Sequence, residues 1–234
     1  MSAIVHYTLT EDGLALLRMD DGKVNAINEA LLEGLERALA RAEAEQARAL
    51  VLQGRPGCFS AGLDLKRLPQ LQPGPLHEVL GRFARLLGTL LASPRPVVML
   101  STGHALAGGA VLLLCADRRL GVDLDYQYGL REVPMGIPMP EAVLELARLW
   151  IPPPLWMEAI IHGATYLTPQ AVRAGLLDAV VPPEEAEAAA HQAARELAAL
   201  PNPAYVESKR RLRAPALQAL GRGVPVDLSR ARRL

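Results

Sequence analysis

The chain has little of several things that would name a function, and each shortage excludes one. It carries only two cysteines, Cys58 and Cys115, in apolar or glycine-flanked surroundings and without metal-ligand spacing. They read as buried free thiols in a reducing cytoplasm. There is no charge bias: 25 basic residues face 25 acidic ones, which gives no footprint for nucleic acid or another polyanion and leaves room for self-association. Lysine is scarce, three against 22 arginines, and no function follows from that. The first residues, M-S-A-I-V-H-Y-T, lack a basic stretch followed by an apolar one, so no secretory signal is expected and the expected compartment is the cytoplasm. The longest apolar region, 97–116, is interrupted by Ser101, Gly103, His104 and a glycine pair. It predicts a core strand and helix, and no contact with a membrane is expected.

Catalytic signatures of other classes are missing too. His6, His77, His162 and His191 are scattered without H-E-x-x-H or similar spacing, so no metal is expected. Ser60 and Ser101 lie outside any G-x-S-x-G elbow, which disfavours a serine nucleophile. His104 is placed near the centre of the chain's glycine motifs, where a hydrogen-bonded structural histidine is expected.

Half of the 234 residues are apolar, enough for one large core. Residues 3–9 and 14–19 alternate as a hairpin turning at Glu11-Asp12-Gly13. Residues 29–46 keep Leu31, Leu35, Ala38, Leu39 and Ala42 at helical spacing, with Asn28 as N-cap. A buried strand over 49–52 leads into a loop over 55–62 and a short helix over 63–67. A second amphipathic helix spans 76–91. Further strands are expected over 97–100, 119–122 and, briefly, from 126 onward. Strand and helix alternate through short links, which favours parallel pairing and right-handed crossovers. Beyond Pro138 come helices punctuated by prolines: 141–150, 155–162, 169–174 capped by Thr168, 184–200 and 204–213, with a strand over 178–181. Two parts are expected, a core over 1–195 and a short helical C-terminal part over 196–234.

The informative stretch is P-V-V-M-L-S-T-G-H-A-L-A-G-G-A-V-L-L-L-C-A-D, 96–117. A buried strand ends at Ser101, residues 104–107 bend, and Gly108-Gly109 open a buried helix. Unpaired N–H groups of a helix start, with no side chains over them, suit a negatively charged oxygen. A second glycine loop, Phe59-Ser60-Ala61-Gly62-Leu63-Asp64, also follows a buried strand. If the two strands are neighbours, both loops emerge at the carboxyl edge of the sheet, where α/β proteins bind ligands. One N–H from each can then converge on one oxygen. The alternative at this point is that both glycine sets are turn and packing residues.

F-S-A-G-L-D-L-K at 59–66, G-H-A-L-A-G-G-A at 103–110 with C-A-D at 115–117, and Y-G-L-R-E-V-P-M-G at 128–136 resemble the three signature blocks of the crotonase (enoyl-CoA hydratase/isomerase) superfamily. K-V-N-A-I-N at 23–28 resembles its CoA-contacting loop, and 164–182 resembles the stretch leading to its trimerisation region. The resemblance implies an α/β fold, a crotonase-like spiral of ββα repeats with a helical C-terminal region. It implies a coenzyme A thioester as ligand, no separate cofactor, and a homotrimer or dimer of trimers. The N–H groups of Ala61 and Gly108 would form the oxyanion hole, with Ala26, Ala61, Gly62, Leu63, Asp64, Gly108 and Val111 against the substrate. Asp64 is also expected to cap the short helix after it. Lys66 and Arg67 are within reach of CoA phosphates, or are simply solvated.

Family hydratases use two glutamates. The first falls here on Val111, which cannot exchange a proton; the second falls on Glu132, which is present. One carboxylate beside an enolate-stabilising hole can move a proton between C2 and C4, which resembles the Δ3,Δ2-enoyl-CoA isomerase branch. The alternatives are a hydratase or another enolate chemistry in which a residue of the 68–77 loop replaces the missing glutamate, and an acyl-CoA-binding protein that has lost catalysis. Glu132 needs an apolar surround to serve as base, which Val133, Pro134, Met135 and Ile137 can supply. An inward-turned Arg131 would oppose it.

Overall fold

The computed structural model describes residues 4–223. The expected hairpin forms from β1 (Val5–Leu9) and β2 (Leu14–Met19), closed by Gly13 with φ +84°. Helix α1 (Glu29–Ala44) starts on Asn28, whose side-chain oxygen accepts the N–H groups of Ala30 and Leu31, both at 3.1 Å. Then β3 (Ala49–Gln53) and β4 (Gly57–Ser60) lead to α2 (Pro73–Leu91). The pair β5 (Val97–Ser101) and β6 (Gly103–Leu106) leads to α3 (Gly108–Leu113), and β7 (Arg118–Val122) with β8 (Gln127–Gly129) to α4 (Glu141–Arg148). Two strands and a helix thus recur four times, the expected ββα repeat.

The whole first hairpin, the first strands of the next three repeats and the last strand build one sheet, in the order β1-β2-β3-β5-β7-β10, where β10 is Ala179–Val181. It is parallel apart from the β1–β2 pair. The second strands of the last three repeats, with β9 at Tyr166–Leu167, build a smaller sheet in the order β4-β6-β8-β9. The larger sheet is covered on both faces. Leu50, Leu52, Val97 and Met99 enter the main core, while Ala49, Val51, Val98 and Leu100 pack on Ala186, Ala190 and Ala194 of α6 (Ala186–Ala198). That is why β3 and β5 read as continuous apolar runs instead of alternating ones.

Several elements differ from the expectation. The loop over 55–62 contains strand β4, and the bend over 104–107 is mostly strand β6; the two pair in parallel. Their glycines are not breakers. A Cβ on Gly103 would lie 1.9 Å from the Gly57 carbonyl carbon, so the glycine permits two backbones to touch. The helix expected over 63–67 is a turn followed by a 3₁₀ segment at Leu68–Gln70, because the Asp64 carboxylate takes the Lys66 and Arg67 amides at 3.1 Å each. Residues 155–162 are a 3₁₀ turn and a π-helical turn, Met157–Ile161, instead of a regular helix. Thr168 opens α5 (Thr168–Arg173) from inside the first turn, with Leu167 at the cap position.

Beyond α6 come α7 (Asn202–Leu212) and α8 (Ala214–Gly221), the latter not expected from sequence. The division drawn at 195 falls inside α6. Residues 224–234 of the expected C-terminal part lie outside the described ones. A buried ionic knot ties α7 and α8 to the sheet: Asp117 meets Lys209 at 2.6 Å, Arg213 at 2.9 Å and the Val97 amide at 2.7 Å. Arg213 also donates to the carbonyls of Leu91, Cys115 and Ala116, and Trp150 lies against the guanidinium groups of both Arg119 and Arg213. No helix among the described residues is long and apolar enough to cross a membrane.

Candidate active site

β4 and β6 are parallel neighbours, so the two glycine loops that follow them leave the same edge. They meet in a cleft of about 870 Å³ whose walls include Ala26, Ala61, Gly62, Leu63, Asp64, Leu106, Ala107 and Arg131. Its floor is backbone. Gly62, at φ +88°, turns its Cα onto α3 so closely that a Cβ there would lie 2.8 Å from the Gly108 nitrogen. A Cβ on Gly108 would in turn lie 3.4 Å from the Leu63 nitrogen. The amides of Leu63 and Gly108 are therefore neighbours. Neither has an acceptor among the described residues, and Gly108 sits at a helix start where none is available inside the helix.

The Ala61 amide is placed differently from the expectation. It donates to the Val24 carbonyl at 3.0 Å and so is spent in holding the 20–28 loop against β4. The free donor facing Gly108 lies two residues further on, at Leu63. In between, the Gly62 amide is taken by the Ser60 hydroxyl at 3.2 Å, and that hydroxyl donates to the Asn25 carbonyl at 2.8 Å. Ser60 is thus a buried strut. Its partner Asn25 was not singled out from sequence and organises the whole loop. It is fully buried at φ +48°, its amide nitrogen donates to the carbonyls of Met19, Cys58 and Phe59, and its side-chain oxygen accepts the Asp21 N–H. The available signal was an asparagine, a residue that tolerates left-handed backbone, within a turn-rich loop.

Glu132 follows β8 and Arg131. It is 8% exposed, and its Oε2 has no hydrogen-bond partner among the described residues. Burial drives its pKa up to about 7, against the smaller opposing pull of the Glu132 and Arg131 backbone amides. The Arg131 guanidinium does not neutralise it, because it turns to the Gly163 carbonyl. Glu132 itself does not line the cleft, though its neighbours Arg131 and Met135 do, and a buried carboxyl with one oxygen unpartnered is unlike the acids at the cleft. Asp21 accepts the amides of Lys23 and Asn25, Asp64 caps its turn, and Glu29 is paired with Arg67. Lys66 is exposed and lines the cleft.

Val111 lies in the first turn of α3, 1% exposed inside the core and not on the cleft wall. His104 uses Nδ1 to accept the Gln127 amide at 3.0 Å and packs edge-on against Tyr126. Both cysteines are buried, and burial pushes their thiols up to about 11 and about 12. Neither is a nucleophile at neutral pH.

Two neighbouring backbone amides without an acceptor at a sheet edge, and a buried carboxyl at Glu132 just after β8, make up the candidate site on this ββα spiral. A family model described as enoyl-CoA hydratase/isomerase matches residues 9–230, and the chain belongs to that family. It superposes on an apo structure of an Mtb enoyl-CoA isomerase with a TM-score of 0.89 and 38% identity, covering 95% of this chain and 96% of the other. An enoyl-CoA hydratase from Mycobacterium ulcerans gives a TM-score of 0.89 and 36% identity over 94% and 96%. Among curated proteins, the peroxisomal bifunctional enzyme of Pongo abelii is 33% identical over 188 residues, 78% of this chain. The chain spans about a quarter of that relative's length, 25%.

Proposed function

We propose that the protein is a Δ3,Δ2-enoyl-CoA isomerase acting by proton transfer on a coenzyme A thioester. The observation that carries this reading is the single unpaired carboxyl of Glu132, while the residue two places after the glycine pair is a core valine. The thioester carbonyl accepts the Leu63 and Gly108 N–H groups. Withdrawal of charge by that pair makes the C2 proton of a 3-enoyl chain acidic. Glu132 takes the proton from C2, the electron pair delocalises onto the carbonyl oxygen and C4, and the same carboxyl returns the proton at C4. One base suffices because it loses and regains one proton, and no cofactor beyond the substrate's own coenzyme A is required.

Adding water across a 2-enoyl bond would need a second group to position and activate the water. The carboxylates on the cleft wall, Asp21 and Asp64, are already engaged by backbone amides. This reading includes assembly as a homotrimer or dimer of trimers, in keeping with the family; Leu124, Met157, Ile161 and Leu167 are exposed apolar side chains.

The test compares 2-enoyl, 3-enoyl and 3-hydroxyacyl-CoA esters with product identification, for the natural protein and Glu132→Gln. Migration of the 3-enoyl double bond is expected, with loss of turnover and retained ester binding in the variant. Turnover unchanged by the substitution, or hydration of crotonyl-CoA faster than isomerisation, would overturn the assignment.

A further inference from the structure

Ala107 stands immediately before the Gly108 donor with φ +47° and ψ −126°, a backbone conformation that alanine rarely adopts and glycine adopts readily. Two hydrogen bonds hold it there from opposite sides. Its N–H donates to the Gly129 carbonyl at 2.8 Å, which ties it to the end of β8, three residues before Glu132. Its carbonyl accepts the Val111 N–H at 3.0 Å in the first turn of α3. Because the peptide unit is planar and trans, the Gly108 N–H points opposite to that Ala107 carbonyl. One peptide plane is thus fixed to the segment that bears the base, and the next carries the hole donor. The only soft torsions between them are φ and ψ of Ala107. Its methyl group lies at the cleft itself, within 3.1 Å of where a Cβ on Gly62 would be.

We propose that Ala107 is a positioning residue: its strained, two-sidedly anchored backbone sets the aim of the Gly108 N–H relative to Glu132. The well open to alanine at positive φ is narrow, whereas glycine occupies a broad region there. Alanine therefore confines the donor's direction at a cost in stability that glycine would not carry, the usual bargain for strain kept at a functional site. This rests on the isomerase reading only in so far as a thioester carbonyl occupies the hole; it holds for any reaction that polarises one.

The test is Ala107→Gly, a substitution the backbone accepts. The protein is loaded with hexanoyl-CoA labelled with carbon-13 at the carbonyl, which has no double bond to move, and the carbonyl stretch is read by isotope-edited infrared spectroscopy. In the natural protein a single narrow band shifted to lower frequency is expected. In the variant the band is expected to broaden and shift less. Isomerase turnover is expected to fall about ten-fold, in keeping with the sensitivity of rates to small misplacements, with KM within about two-fold. Melting temperature is expected to rise by a few degrees, roughly the scale for relieving one strained residue. A merely structural Ala107 would change the melting temperature alone; a variant with the natural band and turnover would overturn the proposal. An unshifted band in the natural protein would instead refute the hole, and this inference with it, whichever reaction is catalysed.

Discussion

The Cα of Gly62 faces the nitrogen of Gly108 across the cleft floor, and a single methyl on it would lie 2.8 Å from that nitrogen. No other side chain fits there without closing the space an oxyanion needs. Gly62→Ala is therefore expected to lower kcat by about 10²-fold or more, comparable to deleting a hole donor. Forcing alanine to φ +88° adds a destabilisation of roughly 1–2 kcal/mol. Steady-state kinetics and a urea titration separate the two effects.

Ala61 and Leu63 differ in what their amides do, and amide-to-ester replacement by semisynthesis distinguishes them. An ester at Leu63 removes a donor aimed at the substrate and is expected to cost about 10²-fold in kcat with little change in stability. An ester at Ala61 removes the bond to Val24, and is expected to cost about 1 kcal/mol of stability while the hole remains intact. Equal kinetic losses at both positions would restore Ala61 to the hole.

Glu132 makes activity and stability respond oppositely to pH. A base with a pKa of about 7 must lose its proton to work, so kcat/KM is expected to rise through about pH 7 and level off above it. Between the ordinary value of 4.5 and about 7 the folded protein holds a proton that the unfolded chain has released. Unfolding free energy therefore falls as pH rises through this window, by at most about 3 kcal/mol. Glu132→Gln is expected to remove this slope, so that the variant exceeds the natural protein in stability at pH 8 by more than at pH 4.5.

Asp117 neutralises two buried cations. Asp117→Ala strands Lys209 and Arg213, 7% and 2% exposed, and is expected to destabilise the protein by about 3–5 kcal/mol. Chemical denaturation measures the loss, and charge removal in the double variant Asp117→Ala/Lys209→Met should recover part of it.

Much of this was legible in the residues. Long periodic helices such as α1 and α2, and the apolar strands β3 and β5, carry their signal locally. The four-residue strands β4 and β6 do not, because what makes them strands is pairing with each other across more than forty residues, and their glycines mimic breaks. The two glycine loops were legible as sharing one sheet edge, with Gly108 at the start of α3. That the amide without an acceptor is Leu63's and not Ala61's depends on where Val24 and Ser60 draw the chain, which spacing cannot express. Glu132 was found as a residue type at a position, but its lack of a partner is a property of packing alone. Arg131, adjacent in sequence, could have neutralised it and instead leans to Gly163.

The knot at Asp117 also orders events in time. Its partners Lys209 and Arg213 lie 92 and about 96 residues downstream, so a ribosome has made both glycine loops and Glu132 well before either cation emerges. Until then Asp117, Trp150 and the carbonyls of Leu91, Cys115 and Ala116 wait at an open flank of the sheet. A nascent chain halted before α7 would hold both glycine loops and Glu132 and still lack the piece that closes its core.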